Sequence, residues 1–301
     1  MAISVKPVVK HNKPDPKASS HGIQLGPITL QDSTAELPGR IALLLWGDFG
    51  SGKTTFAATA PGKKLWINVD PDGYAAIRHR IGKDVVLADL VGLSNAEFFT
   101  QMQNENPLGL DRLLQDHPEI ETVVLDSCTA VRDRALAQSV SKGVGRSPKF
   151  TPTIEEPGQS AYGGRNTITL AVVSGILRVT AKHNRHCIIL AHEAEGEKDK
   201  DGIILYITMN LGGQLYIGMG YRLSEIWYLS QDGKTDKRRL AIRPTRLRKP
   251  MKTRMFRADQ ASEFTLQYDA NKPDDKQAHT IAGWYEEWVE TGQKLPVPKV
   301  E

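Results

Sequence analysis

Residues 41–55 read IALLLWGDFGSGKTT. An apolar run of strand length passes directly into a glycine-rich turn, then into lysine and threonine. The spacing satisfies G-x-x-x-x-G-K-[ST] with Gly47, Gly52, Lys53 and Thr54. Gly50 adds a third permissive position, and Asp48, Phe49 and Ser51 complete the turn. Glycines let the backbone wrap so that successive N–H groups converge on phosphate oxygens. A helix opening near Lys53 and running to about Ala60 would turn its positive end to the same place. The pattern therefore predicts a nucleoside triphosphate site. In it Lys53 reaches the β- and γ-phosphates, the Thr54 hydroxyl holds Mg²⁺ and Thr55 touches the α-phosphate.

Around this loop the chain alternates strand-like and helix-like segments. Residues 64–69, 85–90, 121–127 and 186–191 are short apolar runs that predict buried strands, and 224–229 and 239–243 predict two more. Helical patterns fall at 95–103, 108–115, 130–140, 167–183 and 281–290. Residues 141–166 are rich in Gly, Ser, Pro, Lys and Arg without a period, and predict a long loop. Residues 203–209 and 211–217 predict a hairpin. The alternation implies an α/β fold, a mostly parallel sheet with helices on both faces. Three regions are expected: a basic tail and lead-in over 1–37, a core over 38–257, and a C-terminal extension with one helix over 258–301.

At 301 residues the chain suffices for one large α/β domain with tails, or for two small domains. No apolar run approaches the ~20 residues that span a bilayer, and the first residues lack a secretory h-region. A cytoplasmic protein without membrane attachment is expected. Cys128 and Cys187 sit in or beside apolar runs and read as reduced core residues. Net charge is only +4, but positions 237–257 hold ten basic residues and no acidic one. That run is either a solvated hairpin face or a surface for phosphate.

Asp126 ends the strand-like VVLD. It either simply terminates a strand or supplies the acid that binds Mg²⁺ beside a phosphate-loop threonine. Hydrolysis also needs a group that orients water. Asp70, Asp72 and Glu193 are the candidates, each at a predicted carboxyl end of a strand, where open α/β sheets bind ligands. Each is otherwise a solvated loop carboxylate. His192, after a buried run, is either structural or a sensor of the γ-phosphate.

These residues together resemble the phage-encoded RecA-like P-loop ATPases, including those assigned to single-strand annealing and recombination. The resemblance covers about residues 40–256. It rests on LLLWGDFGSGKTT, VDPDG, TVVLDS, Tyr162-Gly163, the strand-end Ala191-His192-Glu193 and the late KTR at 252–254. It implies a RecA-like P-loop NTPase core with a C-terminal β-hairpin and a short helical extension. It also implies ATP and Mg²⁺ as ligands. In the family a D-T-E-G segment carries the catalytic glutamate; Asp72 falls on that position here, one methylene shorter. Two DNA-facing loops are implied, at 141–166 and 194–214. The first carries Lys142, Arg146, Lys149, Phe150 and Arg165, cations with an aromatic, as single-stranded DNA requires. Lys252 and Arg254 resemble the basic pair that reaches a neighbouring subunit's γ-phosphate, which implies a homo-oligomeric ring or filament. A single-strand DNA-binding protein is a further expected partner. Two other functions fit the same motif: a nucleotide-dependent assembly protein with weak hydrolysis, and a small-molecule kinase.

Overall fold

The computed structural model describes residues 23–25, 28–30, 39–71, 73–102, 105–147, 150–212, 215–233, 235, 237–257, 259, 261–268, 272 and 274–298. The basic tail expected at 1–22, and the site residues Asp72 and Lys149, lie outside the described residues. The chain divides into two compact units, Met1–Gly39 and Arg40–Glu301. In the first, strands β1 (Ile23–Leu25) and β2 (Ile28–Leu30) pair antiparallel.

The second unit carries a nine-stranded mixed sheet among the described residues. Six strands run parallel: β3 (Ala42–Gly47), β4 (Lys63–Asn68), β5 (Val85–Asp89), β6 (Ile120–Asp126), β7 (His186–Glu195) and β9 (Glu225–Gln231). Strand β8 (Ile207–Met209) pairs antiparallel with β7. Strands β10 (Arg238–Ala241) and β11 (Glu263–Leu266) add an antiparallel edge beyond β9. The order is β11-β10-β9-β3-β7-β6-β4-β5, so the strand feeding the phosphate loop is central and flanked by β7 and β9. This is an α/β fold, a mostly parallel sheet with the glycine loop leaving its central strand.

Alternation along the strands divides the core in two. Leu44 and Trp46 of β3, Val123 and Leu125 of β6, and Ile189 and Ala191 of β7 face one layer. That layer holds α2 (Asn95–Met102), α3 (Leu110–Asp116), α4 (Cys128–Ser141), α5 (Gly158–Lys182) and α6 (Leu215–Arg222). Leu43 and Leu45, Val124, and Ile188 and Leu190 face the other. There α1 (Lys53–Ala57) buries Phe56 and Ala57, and α7 (Ile281–Thr291) buries Ile281 and Trp284 against the same cluster. Both faces are thus covered, which is why the central strands read as unbroken apolar runs rather than alternating ones. Trp284 meets Phe56 edge-on at 5.8 Å, so the C-terminal helix seals the phosphate-loop helix from behind.

Three expectations change. The stretch 141–166 is a loop only in part, because α4 reaches Ser141 and α5 begins at Gly158, which leaves 142–157 between them. Gly164 reads as a breaker in sequence, yet it lets α4 and α5 approach: a Cβ there would stand 2.8 Å from Ser139 Oγ. The strand expected at 211–217 is the helix α6, whose Leu215 and Met219, four apart, are the buried positions. The helix after the loop is five residues long and continues to Ala60 only as turns.

Candidate nucleotide and metal site

Parallel register brings the predicted site residues to one edge. Gly47 pairs with His192, and Asn68 with Asp126, at the carboxyl ends of β3, β7, β4 and β6. Gly47 itself admits no side chain: with φ at +157° a Cβ would stand 2.0 Å from the carbonyl oxygen of Leu229. The loop turns over this contact. The Ser51 hydroxyl donates to the Asp48 carbonyl at 2.8 Å, and the Phe49 N–H donates to Asp48 Oδ1 at 2.7 Å.

Lys53 is buried, and its ammonium donates to the carbonyls of Gly47 at 3.1 Å and Asp48 at 2.7 Å. Burial pushes its pKa below the ordinary value, against the nearby charges of Asp126, Asp48, Glu193 and Asp70. Thr54 Oγ1 donates to Asp126 Oδ2 at 3.3 Å. Asp126 is 4% exposed. Burial, then the neighbouring Asp70 carboxylate, raises its pKa to about 7. Asp126 is a buried carboxylate in contact with a hydroxyl, and hard oxygen donors of this kind suit Mg²⁺. Among the described residues no cluster of three or more His, Cys, Asp or Glu could hold a metal alone. Magnesium ordinarily takes one or two carboxylates and completes its shell with water and substrate phosphates, so this donor set fits it.

Beyond Asp126 stands a second group. His192 Nε2 lies 3.3 Å from Asp70 Oδ2, and the His192 ring stacks on Phe49 at 4.2 Å between centroids. Phe49 is otherwise 75% exposed at the loop tip. The backbone N–H of His192 donates to Thr129 Oγ1, which ties the strand end to α4. Burial alone would raise the Asp70 pKa. Hydrogen bonds from His192 and Ser127, with the charges of His192 and Lys53, bring it below the ordinary value instead.

Glu193 is not bonded into the His192–Asp70 pair, although its charge is felt at Lys53. It shares the parity of Ala191, which faces the α4–α5 layer, and its Oε2 accepts from the Tyr228 hydroxyl at 2.8 Å. Burial and that bond push the Tyr228 phenol up, and the Arg248 guanidinium covers its ring at 4.9 Å. The late basic pair also separates. Residues 252–254 form no strand, only a single bridge between Ile226 and Lys252. Lys252 turns inward and donates to the carbonyls of Gly220 at 3.2 Å and Leu223 at 2.7 Å, closing the end of α6. Arg254 is exposed, while its backbone N–H donates to the buried Glu225 at 2.8 Å.

Of the expected DNA-facing residues, Lys142 and Arg146 are exposed beyond α4, and Phe150 is 37% exposed beside Gly158. Arg165 is buried within α5, its guanidinium bonded to Asn166 and set over the Tyr162 ring at 4.8 Å. Its helical position, not a loop, turns it inward. One site residue that sequence reading missed is Arg238, whose Nε would lie 2.6 Å from a Cβ on Gly52. Its alternation with Leu240, which packs in the α1 layer, was the available signal.

No helix among the described residues is long and apolar enough to cross a membrane. Comparison with curated proteins found no match. Among solved structures, a KaiC-like protein from the hyperthermophilic archaeon Pyrococcus horikoshii OT3 aligns at 14% identity and TM-score 0.42, over 77% of this chain and 87% of that one. The RadB recombinase aligns at 15% identity and TM-score 0.36, over 70% of this chain and 85% of that one. Residues 40–255 match the model of the family described as an AAA domain, which spans the phosphate loop, every strand of the large sheet but β11, and the site built on its edge, and the chain belongs to that AAA domain family.

Proposed function

We propose that the protein binds ATP with Mg²⁺, hydrolyses it, and uses the cycle to act on single-stranded DNA as a homo-oligomer. The observation that carries the nucleotide reading is the convergence of Lys53, Thr54 and Asp126 behind one glycine loop. In this reading the Lys53 ammonium exchanges its loop carbonyls for β- and γ-phosphate oxygens. Thr54 and Asp126 are the residues that would hold Mg²⁺, which when bound neutralises charge developing on those phosphates. Asp70, held by His192 and close enough to influence Asp126 and Lys53, orients the attacking water. Asp72, the position the family resemblance implies for this role, is the alternative carboxylate, two residues along the chain. His192 senses the state of the site through its contacts with both Asp70 and Phe49.

The DNA reading rests on the exposed Lys142 and Arg146 beside Phe150, a set able to pair phosphates and stack a base. Arg254, exposed at the far edge, is the cation that would reach a neighbouring subunit's nucleotide. A recombination or annealing role in a phage follows from the same reading. The test is steady-state ATP turnover with and without single-stranded DNA, together with DNA retention in a gel shift. Stimulated turnover and retention are expected; a flat response with no retention contradicts the DNA role. A second reading, a nucleotide-dependent assembly protein with weak hydrolysis, is favoured by the short Asp72 side chain. Single-turnover hydrolysis by wild type against Asp72→Glu separates the two.

A further inference from the structure

Arg238 belongs to two places at once. It packs over Gly52 of the phosphate loop, and it lines a cavity of about 510 Å³ where β10 begins and β11 ends. Its Nε is buried without a hydrogen-bond partner, and its guanidinium makes no ion pair among the described residues. An arginine fork held beside a phosphate loop with an open donor is suited to a phosphate oxygen. Its neighbour Arg239 points to the opposite face and pairs with Glu263 at 3.6 Å, so the inward turn of Arg238 follows from strand alternation.

The cavity continues from Arg238 to Tyr268, Gln267 and Gln277, with Lys272 and Lys276 beside them. Its volume is within the roughly 300–1,000 Å³ usual for small-ligand sites. Tyr268 is positioned from the loop side, because its ring meets buried Phe56 of α1 at 6.3 Å. The direction of a bound triphosphate fixes what enters. Were its β- and γ-phosphates at Lys53 and its α-phosphate at Thr55, the nucleoside could continue past Gly52 on the side where Arg238 and Tyr268 line the cavity. Aromatic surface and side-chain amides are the chemistry that a nucleobase and ribose require.

We infer that this cavity is the nucleoside subsite of the same nucleotide, walled by the C-terminal segment, with Arg238 on the phosphate that joins nucleoside to loop. The inference rests on the triphosphate reading above. Tyr268, Lys272 and Lys276 lie beyond residues 40–255, so the chain supplies this wall from outside the matched family domain.

The experiment separates base from phosphate. A fluorescent N-methylanthraniloyl-ATP probe is displaced from wild type, Tyr268→Ala, Tyr268→Phe, Arg238→Ala, Arg238→Lys and Lys53→Ala by ATP and, separately, by inorganic tripolyphosphate. Tyr268→Ala is expected to weaken ATP about ten-fold and leave tripolyphosphate unchanged, with Tyr268→Phe close to wild type. Arg238→Ala is expected to weaken both ligands about ten-fold, and Arg238→Lys less. If Lys53→Ala abolishes ATP binding while Tyr268→Ala and Arg238→Ala bind ATP as wild type does, the subsite is overturned and the phosphate loop stands. Equal weakening of ATP and tripolyphosphate by Tyr268→Ala also overturns it, since the tyrosine then supports the loop rather than the nucleoside. Unchanged ATP binding in Lys53→Ala overturns the triphosphate reading itself.

Discussion

Thr54 Oγ1 and Asp126 Oδ2 stand 3.3 Å apart although 72 residues separate them in sequence. The contact exists because β3 and β6 end at the same sheet edge, with β7 between them. It places the loop hydroxyl and the strand-end carboxylate where one small cation can share them.

Asp126 exposes a conflict between function and stability. In the folded chain it keeps its proton up to about pH 7, against an ordinary carboxylate value of 3.8. Between these values the unfolded chain binds fewer protons than the folded one, so stability falls as pH rises through this window. Asp126→Asn escapes that loss. Metal-free Asp126→Asn should be more stable than wild type by roughly 1–3 kcal/mol above pH 7, with the advantage vanishing below pH 4. Chemical denaturation across this range checks the prediction. The same variant should lose Mg²⁺-dependent turnover.

Asp70 and His192 should act as a pair. Asp70→Asn is expected to lower turnover by about 10²-fold or more while changing ATP affinity little. His192→Ala should lower it less, and adding it to Asp70→Asn should cost little further, because the two share one interaction. Single-turnover kinetics on the four proteins measures this.

Lys252 and Arg254 should separate cleanly. Lys252→Ala removes an ammonium from two carbonyls at the end of α6 and should cost about 1–2 kcal/mol of stability. Arg254→Ala should leave stability unchanged and lower turnover of the assembled protein by up to about 10³-fold. Mixing Arg254→Ala with Lys53→Ala subunits should restore part of the turnover, since each supplies what the other lacks.

Gly47→Ala should fail for a backbone reason. Its Cβ would meet the Leu229 carbonyl oxygen at 2.0 Å. A loss of roughly 2–3 kcal/mol is expected, read as a shift in the denaturation midpoint.

The strands were legible because each parallel strand is buried on both faces and so reads as an apolar run bounded by polar turns. The loop and Asp126 were legible because their chemistry is local: a glycine spacing, and an acid closing a strand. What the sequence concealed depended on partners far along the chain. Gly164 reads as a loop breaker until Ser139 of α4 is placed against it. Glu193 reads as a free carboxylate until Tyr228 is placed against it. Lys252 reads as an outward cation until the end of α6 arrives beneath it. Arg238 was one of ten basic residues in a run, and only the pairing of β10 with β9 sets it over Gly52.

The central claim is that Lys53 and the Thr54–Asp126 pair form one site for a magnesium nucleotide. Calorimetric titration of a non-hydrolysable ATP analogue, with and without Mg²⁺, tests it most directly on wild type, Lys53→Ala and Asp126→Asn. The expected result is one nucleotide per chain in wild type, no measurable binding in Lys53→Ala, and loss of the Mg²⁺ enhancement alone in Asp126→Asn. Wild-type affinity retained in Lys53→Ala, or a Mg²⁺ enhancement retained in Asp126→Asn, would contradict it.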